Sequence, residues 1–235
     1  GNGEISSANV ELTHNGIRGT LKTPAGDIPL KSALVGTHNL DNILTAAGMA
    51  LAAGFSRRDV QDGIERVTRV PGRMEFLEAG QPFDVIFVYA HTPESLEAVY
   101  QTLKPANGKL ICVFGSTGGG RDTWKRPVYG EIAARYCDEI ILTDEDPYDE
   151  DPEKILDDID AGIQSNGAGE KTKRILDRGE AIYTAVQDAR PGDVVVITGK
   201  GSESIMAVGE GRLIPWSDRE TALKVLTMRG FHHER

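Results

Sequence analysis

Four short stretches carry the side chains that could do chemistry. Gly115-Ser116-Thr117-Gly118-Gly119-Gly120-Arg121-Asp122 sets four glycines beside a guanidinium. Glycines let a backbone approach a ligand closely, and Arg121 could grip a carboxylate or phosphate as a fork or simply form a surface salt bridge. Asp144-Glu145-Asp146-Pro147-Tyr148-Asp149-Glu150-Asp151 places six carboxylates in eight positions. Such a run is either a solvated surface or a negative wall suited to a cationic group or a metal. Tyr89-Ala90-His91 and Gly199-Lys200-Gly201-Ser202-Glu203 add an isolated imidazole and a Gly-rich loop ending in an acid. Several chemistries are excluded by spacing. Arg121 and Asp122 follow Gly120 where a P-loop needs Lys-Ser/Thr, and no Gly-x-Gly-x-x-Gly occurs. The acidic run does not have EF-hand spacing, no Gly-x-Ser-x-Gly elbow exists, and no Cys/His cluster has zinc spacing (His232-His233 lie in a polar tail).

The elements that would position these stretches fall into two rhythms. Residues 10–35 alternate apolar and polar side chains around Asn15-Gly16 and Pro24-Ala25-Gly26-Asp27, which predicts a meander of three strands with Pro29 at an edge. Leu40, Ile43, Leu44, Ala47 and Leu51 then follow a helical period, and Ser56 opens a second helix with Val60 and Ile64 inward. From about residue 73 strand and helix alternate. Strands are predicted at 83–90, 109–114, 139–143, 173–176 and 193–198. Helices are predicted after Thr92-Pro93, from Pro127, after Asp151-Pro152, through Ala181, Ile182, Ala185 and Val186, and after Ser217 with Glu220. This order predicts an α/β fold: a doubly wound, mainly parallel Rossmann-like sheet, preceded by a meander plus helices. In an open parallel sheet ligands bind beyond the carboxyl ends of the strands. Each of the four stretches, and Asp177-Arg178, follows a predicted strand, so all are expected at one edge.

The 235 residues carry 26 Lys+Arg against 36 Asp+Glu, a formal charge of −10. That balance argues against nucleic acid as the main partner, since phosphate binding needs a basic face. The longest apolar runs, such as 194–197, are too short to span a bilayer. Gly1-Asn2-Gly3-Glu4-Ile5 lacks a basic region followed by an apolar one, so no secretion signal is expected. Cys112 and Cys137, each in an apolar stretch, are expected to be buried thiols in a reducing, cytoplasmic setting.

Val70-Pro71-Gly72-Arg73-Met74-Glu75, Tyr89-Ala90-His91-Thr92-Pro93, Lys125-Arg126-Pro127, Asp146-Pro147 and Gly199-Lys200-Gly201-x-Glu203, taken in order, resemble the Mur ligases. Within that family they look like the branch that adds the third residue of the peptidoglycan stem peptide. Gly36-x-His38-Asn39-x-x-Asn42 resembles the last helix of the family's central ATP-binding domain. The resemblance implies two domains, the end of that central domain over 1–72 and the C-terminal Mur ligase domain over 73–235. It implies a cytoplasmic, monomeric, ATP-dependent ligase using Mg2+. ATP phosphorylates the γ-carboxylate of UDP-N-acetylmuramoyl-L-alanyl-D-glutamate, and the amine of a diamino acid, L-lysine or meso-diaminopimelate, displaces the phosphate. On matching positions Asn39, Asn42, Arg73, Tyr89 and His91 would face ATP. Arg121, Asp146, Gly199 and Glu203 would line the amino-acid site.

Three motifs depart from the family pattern. Val88 stands where the family has Asp, Glu145-Asp146-Pro147-Tyr148 where it has Asp-Asn-Pro-Arg, and Ser202 where it has His. The extra acids and the missing Arg favour a lysine-like substrate with a cationic distal end, with diaminopimelate left open through Arg121 or Lys125. No P-loop and no UDP-sugar domain occur within these residues, and the sequence opens in mid-meander. The chain is therefore expected to be the C-terminal part of a longer ligase, with a non-catalytic binding or interaction module as the rival reading. The purified chain is predicted not to turn over ATP; measurable phosphate release in a steady-state assay would contradict this.

Overall fold

The computed structural model describes residues 5–13, 16–120 and 122–232. The chain divides into two compact units, Gly1–Val70 and Pro71–Arg235.

In the first unit β1 (Ser6–Thr13), β2 (Gly16–Lys22) and β3 (Ile28–Ser32) form an antiparallel sheet in that order. Pro29 sits on the edge strand, where its missing N–H costs no ladder bond. Asn15 lies outside the described residues. Helix α1 (Thr37–Ala52) begins before the predicted Leu40, and α2 (Arg57–Arg66) starts from a reciprocal Ser56–Asp59 capping box. Ile17, Leu21, Ile28, Leu30, Ile43, Ala47 and Val60 form the buried core of this unit. They come from alternate strand positions and from one helical face.

The second unit is built on a six-stranded sheet of order β4-β5-β9-β6-β7-β8. Its strands are β4 (Glu75–Phe76), β5 (Asp84–Val88), β6 (Leu110–Phe114), β7 (Glu139–Leu142), β8 (Thr172–Arg174) and β9 (Val194–Thr198). The five strands predicted to be parallel are parallel; β4 adds an antiparallel edge that two residues are too few to reveal in sequence. β9 is the last of these six strands in sequence but lies inside the sheet, and all five of its residues are buried. That is why Val194-Val195-Val196-Ile197 reads as a continuous apolar run.

Helices cover both faces. α6 (Arg178–Asp188) and α7 (Asp218–Met228) pack through Ala181, Ile182, Ala185, Ala222, Val225 and Leu226 against Val85, Phe87, Ile111, Val113, Val195 and Ile197. The other helices are α3 (Pro93–Leu103), α4 (Lys125–Tyr136) and α5 (Pro152–Ser165). The Thr92 and Asp151 caps form as expected. α4 starts at Lys125 rather than Pro127, because the turn 122–126 is already closed by Lys125 N–H to Asp122 O and Arg126 N–H to Thr123 O. Pro127 then occupies the first turn, where a missing donor is harmless. A hairpin of β10 (Ile205–Val208) and β11 (Arg212–Pro215) follows β9; its half-exposed residues lack the clean alternation that predicts strands. Among the described residues no helix is long and apolar enough to cross a membrane.

The cysteine expectation is corrected. Cys112 on β6 and Cys137 at the end of α4 are joined in a disulfide, which encloses the loop after β6 and all of α4. Sequence shows two buried small residues but not that the fold brings their Cα atoms within 6.1 Å. The inference of a reducing setting from free thiols therefore lapses.

α4 and α5 touch backbone to backbone. A methyl at Gly162 would overlap the carbonyl oxygen of Pro127, and one at Gly130 that of Ile159. Gly162→Ala is predicted to lower stability by about 1–3 kcal/mol through overpacking. Denaturant unfolding with an unchanged midpoint would show that the helices can part freely.

Candidate functional site

The four chemistry-bearing stretches do meet. Those after β5, β6, β7 and β9 line one cavity of about 480 Å³ at the carboxyl ends of the strands, with Tyr89, His91, Ser116, Thr117, Lys125, Glu145, Asp146 and Glu203 in its wall. The segment Asp177-Arg178 does not line it; Arg178 is buried beneath.

Local hydrogen bonds fix each wall. Tyr89 and His91 are in edge contact, ring centroids 3.9 Å apart, and the Arg73 guanidinium lies 5.1 Å over the Tyr89 ring while donating to the Tyr89 carbonyl at 3.0 Å. The His91 carbonyl accepts from Tyr129 Oη at 2.7 Å and Lys125 Nζ at 3.3 Å, both from α4. Gly118 is locked to the loop after β7, its N–H on Asp146 O at 2.9 Å, and a side chain there would overlap the Pro147 carbonyl.

Each acidic residue of the run 144–151 has its own surroundings, so neither the solvated surface nor the open negative wall describes it. Glu150 takes a bidentate pair from buried Arg126 at 2.7 and 2.8 Å, which holds its carboxyl down at about 2. Asp151 caps α5, and Asp149 accepts from Glu210 N–H at 2.7 Å. Asp146 accepts from Lys200 Nζ at 2.5 Å and from Ala207 N–H at 2.6 Å. Lys200 also donates to Glu203 at 2.6 Å. Asp144 and Glu145 are the exceptions: burial pushes Asp144 up to about 6 and Glu145 up to about 7. Glu145 is 3% exposed, with His91 Nδ1 at 3.6 Å and a long 3.4 Å contact from Thr117 Oγ1. Gly199, at φ 106°, leaves room for that carboxylate, which any side chain at this position would strike. Burial also lowers the pKa of His91, against the pull of Glu203.

Residues 72–201 match the family described as Mur ligase, glutamate ligase domain. The chain belongs to the Mur ligase family. A UDP-N-acetylmuramoyl-L-alanyl-D-glutamate–2,6-diaminopimelate ligase of Trichormus variabilis is 44% identical over 218 residues, 92% of this chain and 43% of the relative. A UDP-N-acetylmuramyl-tripeptide synthetase of Roseiflexus sp. is 41% identical over 97% of this chain and 45% of its own length. A solved diaminopimelate ligase of the same description superposes with TM-score 0.66 at 31% identity, covering 97% of this chain and 46% of that one. The chain thus spans somewhat less than half the length of these relatives.

Of the residues that the Mur resemblance assigns to ATP, Arg73, Tyr89 and His91 cluster as described, while Asn39 and Asn42 lie on α1 in the first unit. Asn39 is 1% exposed, its Nδ2 donates to Val35 O at 2.8 Å, and its Oδ1 is buried without a partner. Of the amino-acid set, Asp146 and Glu203 share Lys200, Gly199 abuts Glu145, and Arg121 lies outside the described residues. Lys125, which the sequence offered as a partner for a ligand carboxylate, is in the lining; Glu145, Thr117 and Tyr129 were not singled out as lining residues, because which helical and loop positions face the cavity depends on the close approach of the loops.

Glu145 gives a pH prediction. Its acid is protonated more readily folded than unfolded, so its contribution is fully present below about pH 4.5 and is lost as pH rises through about 7. Glu145→Gln should therefore gain stability over the native chain at pH 8, on the order of 3 kcal/mol, and lose that advantage by pH 4.5. Parallel pH profiles in denaturant unfolding would contradict this.

Proposed function

We propose that this chain is the amino-acid-binding half of an ATP-dependent Mur ligase that joins a diamino acid to UDP-N-acetylmuramoyl-L-alanyl-D-glutamate in the cytoplasm. The observation that carries this reading is the cavity above the parallel strands, where an imidazole, a lysine and several carboxylates converge on a volume of about 480 Å³. Relatives at 41–44% identity bear the names of that activity.

In such a ligase ATP supplies the phosphoryl group that activates the acceptor carboxyl. The amine nitrogen then forms the amide bond as the carbon–oxygen bond to phosphate breaks. The residues of this chain fit the nucleotide in a limited way. The buried, unpartnered Asn39 Oδ1 is an acceptor suited to an amino group such as that of adenine, and the exposed Arg73 offers a guanidinium to ribose or phosphate. Among the described residues no cluster of three His, Cys, Asp or Glu is placed to hold a metal. Mg2+ in such a ligase would come bound to the phosphates of ATP, in keeping with its preference for few protein ligands.

The amino acid's ammonium and carboxylate groups find complementary charges in Glu203 and Lys125, both in the cavity wall. Isothermal calorimetry of the chain should give heat with L-lysine and with meso-diaminopimelate and none with alanine. Equal heats for all three, or none, would reject the reading.

A further inference from the structure

The two carboxylates assigned to the amino-acid site are not free. Lys200 Nζ lies 2.5 Å from Asp146 Oδ2 and 2.6 Å from Glu203 Oε2. Lys200 is 1% exposed, whereas the Glu203 side chain is 38% exposed and faces the cavity. Burial alone would lower the pKa of the Lys200 ammonium, but the two carboxylates outweigh it and leave it raised, so the group stays charged. Asp146 has its other oxygen on the Ala207 amide at 2.6 Å. Its charge is therefore fully used, and the trio of Asp146, Lys200 and Glu203 carries one net negative charge rather than two.

We propose that Lys200 is a specificity-determining residue of the amino-acid site, selecting a diamino acid whose distal end is zwitterionic over one whose distal end is a bare ammonium. This rests on the proposed ligase reading and adds the substrate class. The reason is Coulombic. Glu203 lines the cavity with its side chain 38% exposed, so a ligand ammonium meeting it there shares a carboxylate that already pairs with the buried Lys200 ammonium. Two like charges sharing one acid repel, and the protein walls screen them less than water does. A distal carboxylate on the ligand offsets that repulsion by placing a negative charge next to the ligand's own ammonium. Lys125, also in the cavity wall, gives that carboxylate a further partner; its own partner Asp122, at 3.1 Å, is largely solvent-exposed and loosely held. Counting the acids of this loop alone favours lysine; counting them with their buried partner reverses the preference. The second cation comes from the Gly-Lys-Gly segment after β9, and Tyr148 at the cavity rim need supply none.

Lys200 acts through Glu203 and touches no ligand, so it is a positioning residue, and its test is a ratio of affinities rather than an affinity. Calorimetry of the full chain at pH 7.5 should show meso-diaminopimelate binding more tightly than L-lysine by about tenfold, the scale of one partly screened charge contact. Lys200→Met keeps the length of the side chain and removes its charge; it should erase or invert that ratio, and Lys200→Arg should preserve it. If Lys200→Met fails to fold because Asp146 is left unpaired, the Lys200→Met/Asp146→Asn double variant removes both charges and carries the same expectation. Native protein that binds lysine as tightly as diaminopimelate overturns the assignment while leaving the ligase reading intact. A ratio unchanged in the folded Met variants also overturns it. Failure of the native chain to bind either ligand removes both.

Discussion

Arg178, fully buried at the start of α6, donates through Nε and Nη2 to the two oxygens of Asp218, through Nη2 to the Thr198 carbonyl and through Nη1 to that of Asp144. Trp216 Nε1 completes the Asp218 carboxylate at 2.8 Å. One guanidinium thus joins the ends of β7 and β9 to the first turns of α6 and α7, directly under the cavity. A buried charge pair of this kind adds little net stability over an apolar packing, but removing one partner strands the other charge and costs about 3–5 kcal/mol. Its role is therefore positional: the carbonyls at the tops of β7 and β9 cannot shift without exposing an uncompensated ion. The same positive charge opposes the burial that keeps the Glu145 carboxyl up near 7.

Above that floor the same solution recurs. Arg126 holds Glu150 and Asp158 from within α4, and Lys200 holds Asp146 and Glu203 from the loop after β9. Three buried cations, each on a different element, therefore hold carboxylates around the site, and those held by Lys200 line it. Charge-assisted bonds to rigid helix and strand ends pre-organise the cavity, which lowers the ordering cost that a ligand must otherwise meet. Glu145, with only long contacts, is the poorly compensated member, and such groups cluster where ligands bind.

Much of this architecture was legible in the sequence. The five parallel strands, the caps at Ser56, Thr92 and Asp151, and the gathering of loops at one edge follow from periodicity and capping chemistry, which are local properties. What was not legible depends on contacts between distant segments. The two-residue strand β4 and the half-exposed β10–β11 hairpin exist only because partners lie beside them. The Cys112–Cys137 link needs the register of β6 against α4. The acidic run was misjudged because the partners of its carboxylates, Arg126 and Lys200, lie far off in sequence, and spacing gives no signal of them. The family motifs fall on loops that meet at this cavity, while the pairing of Lys200 with Asp146 and Glu203 needed coordinates.

The central claim is that the rims of the parallel strands form one binding site for an amine-bearing metabolite. Backbone amide chemical-shift mapping of the isotopically labelled chain with meso-diaminopimelate tests it most directly. The account predicts shifts concentrated in residues 89–91, 115–118, 145–148 and 199–203, with α2 and the β10–β11 turn unmoved. Shifts confined to the α1–α2 surface, or spread evenly over the chain, would contradict it.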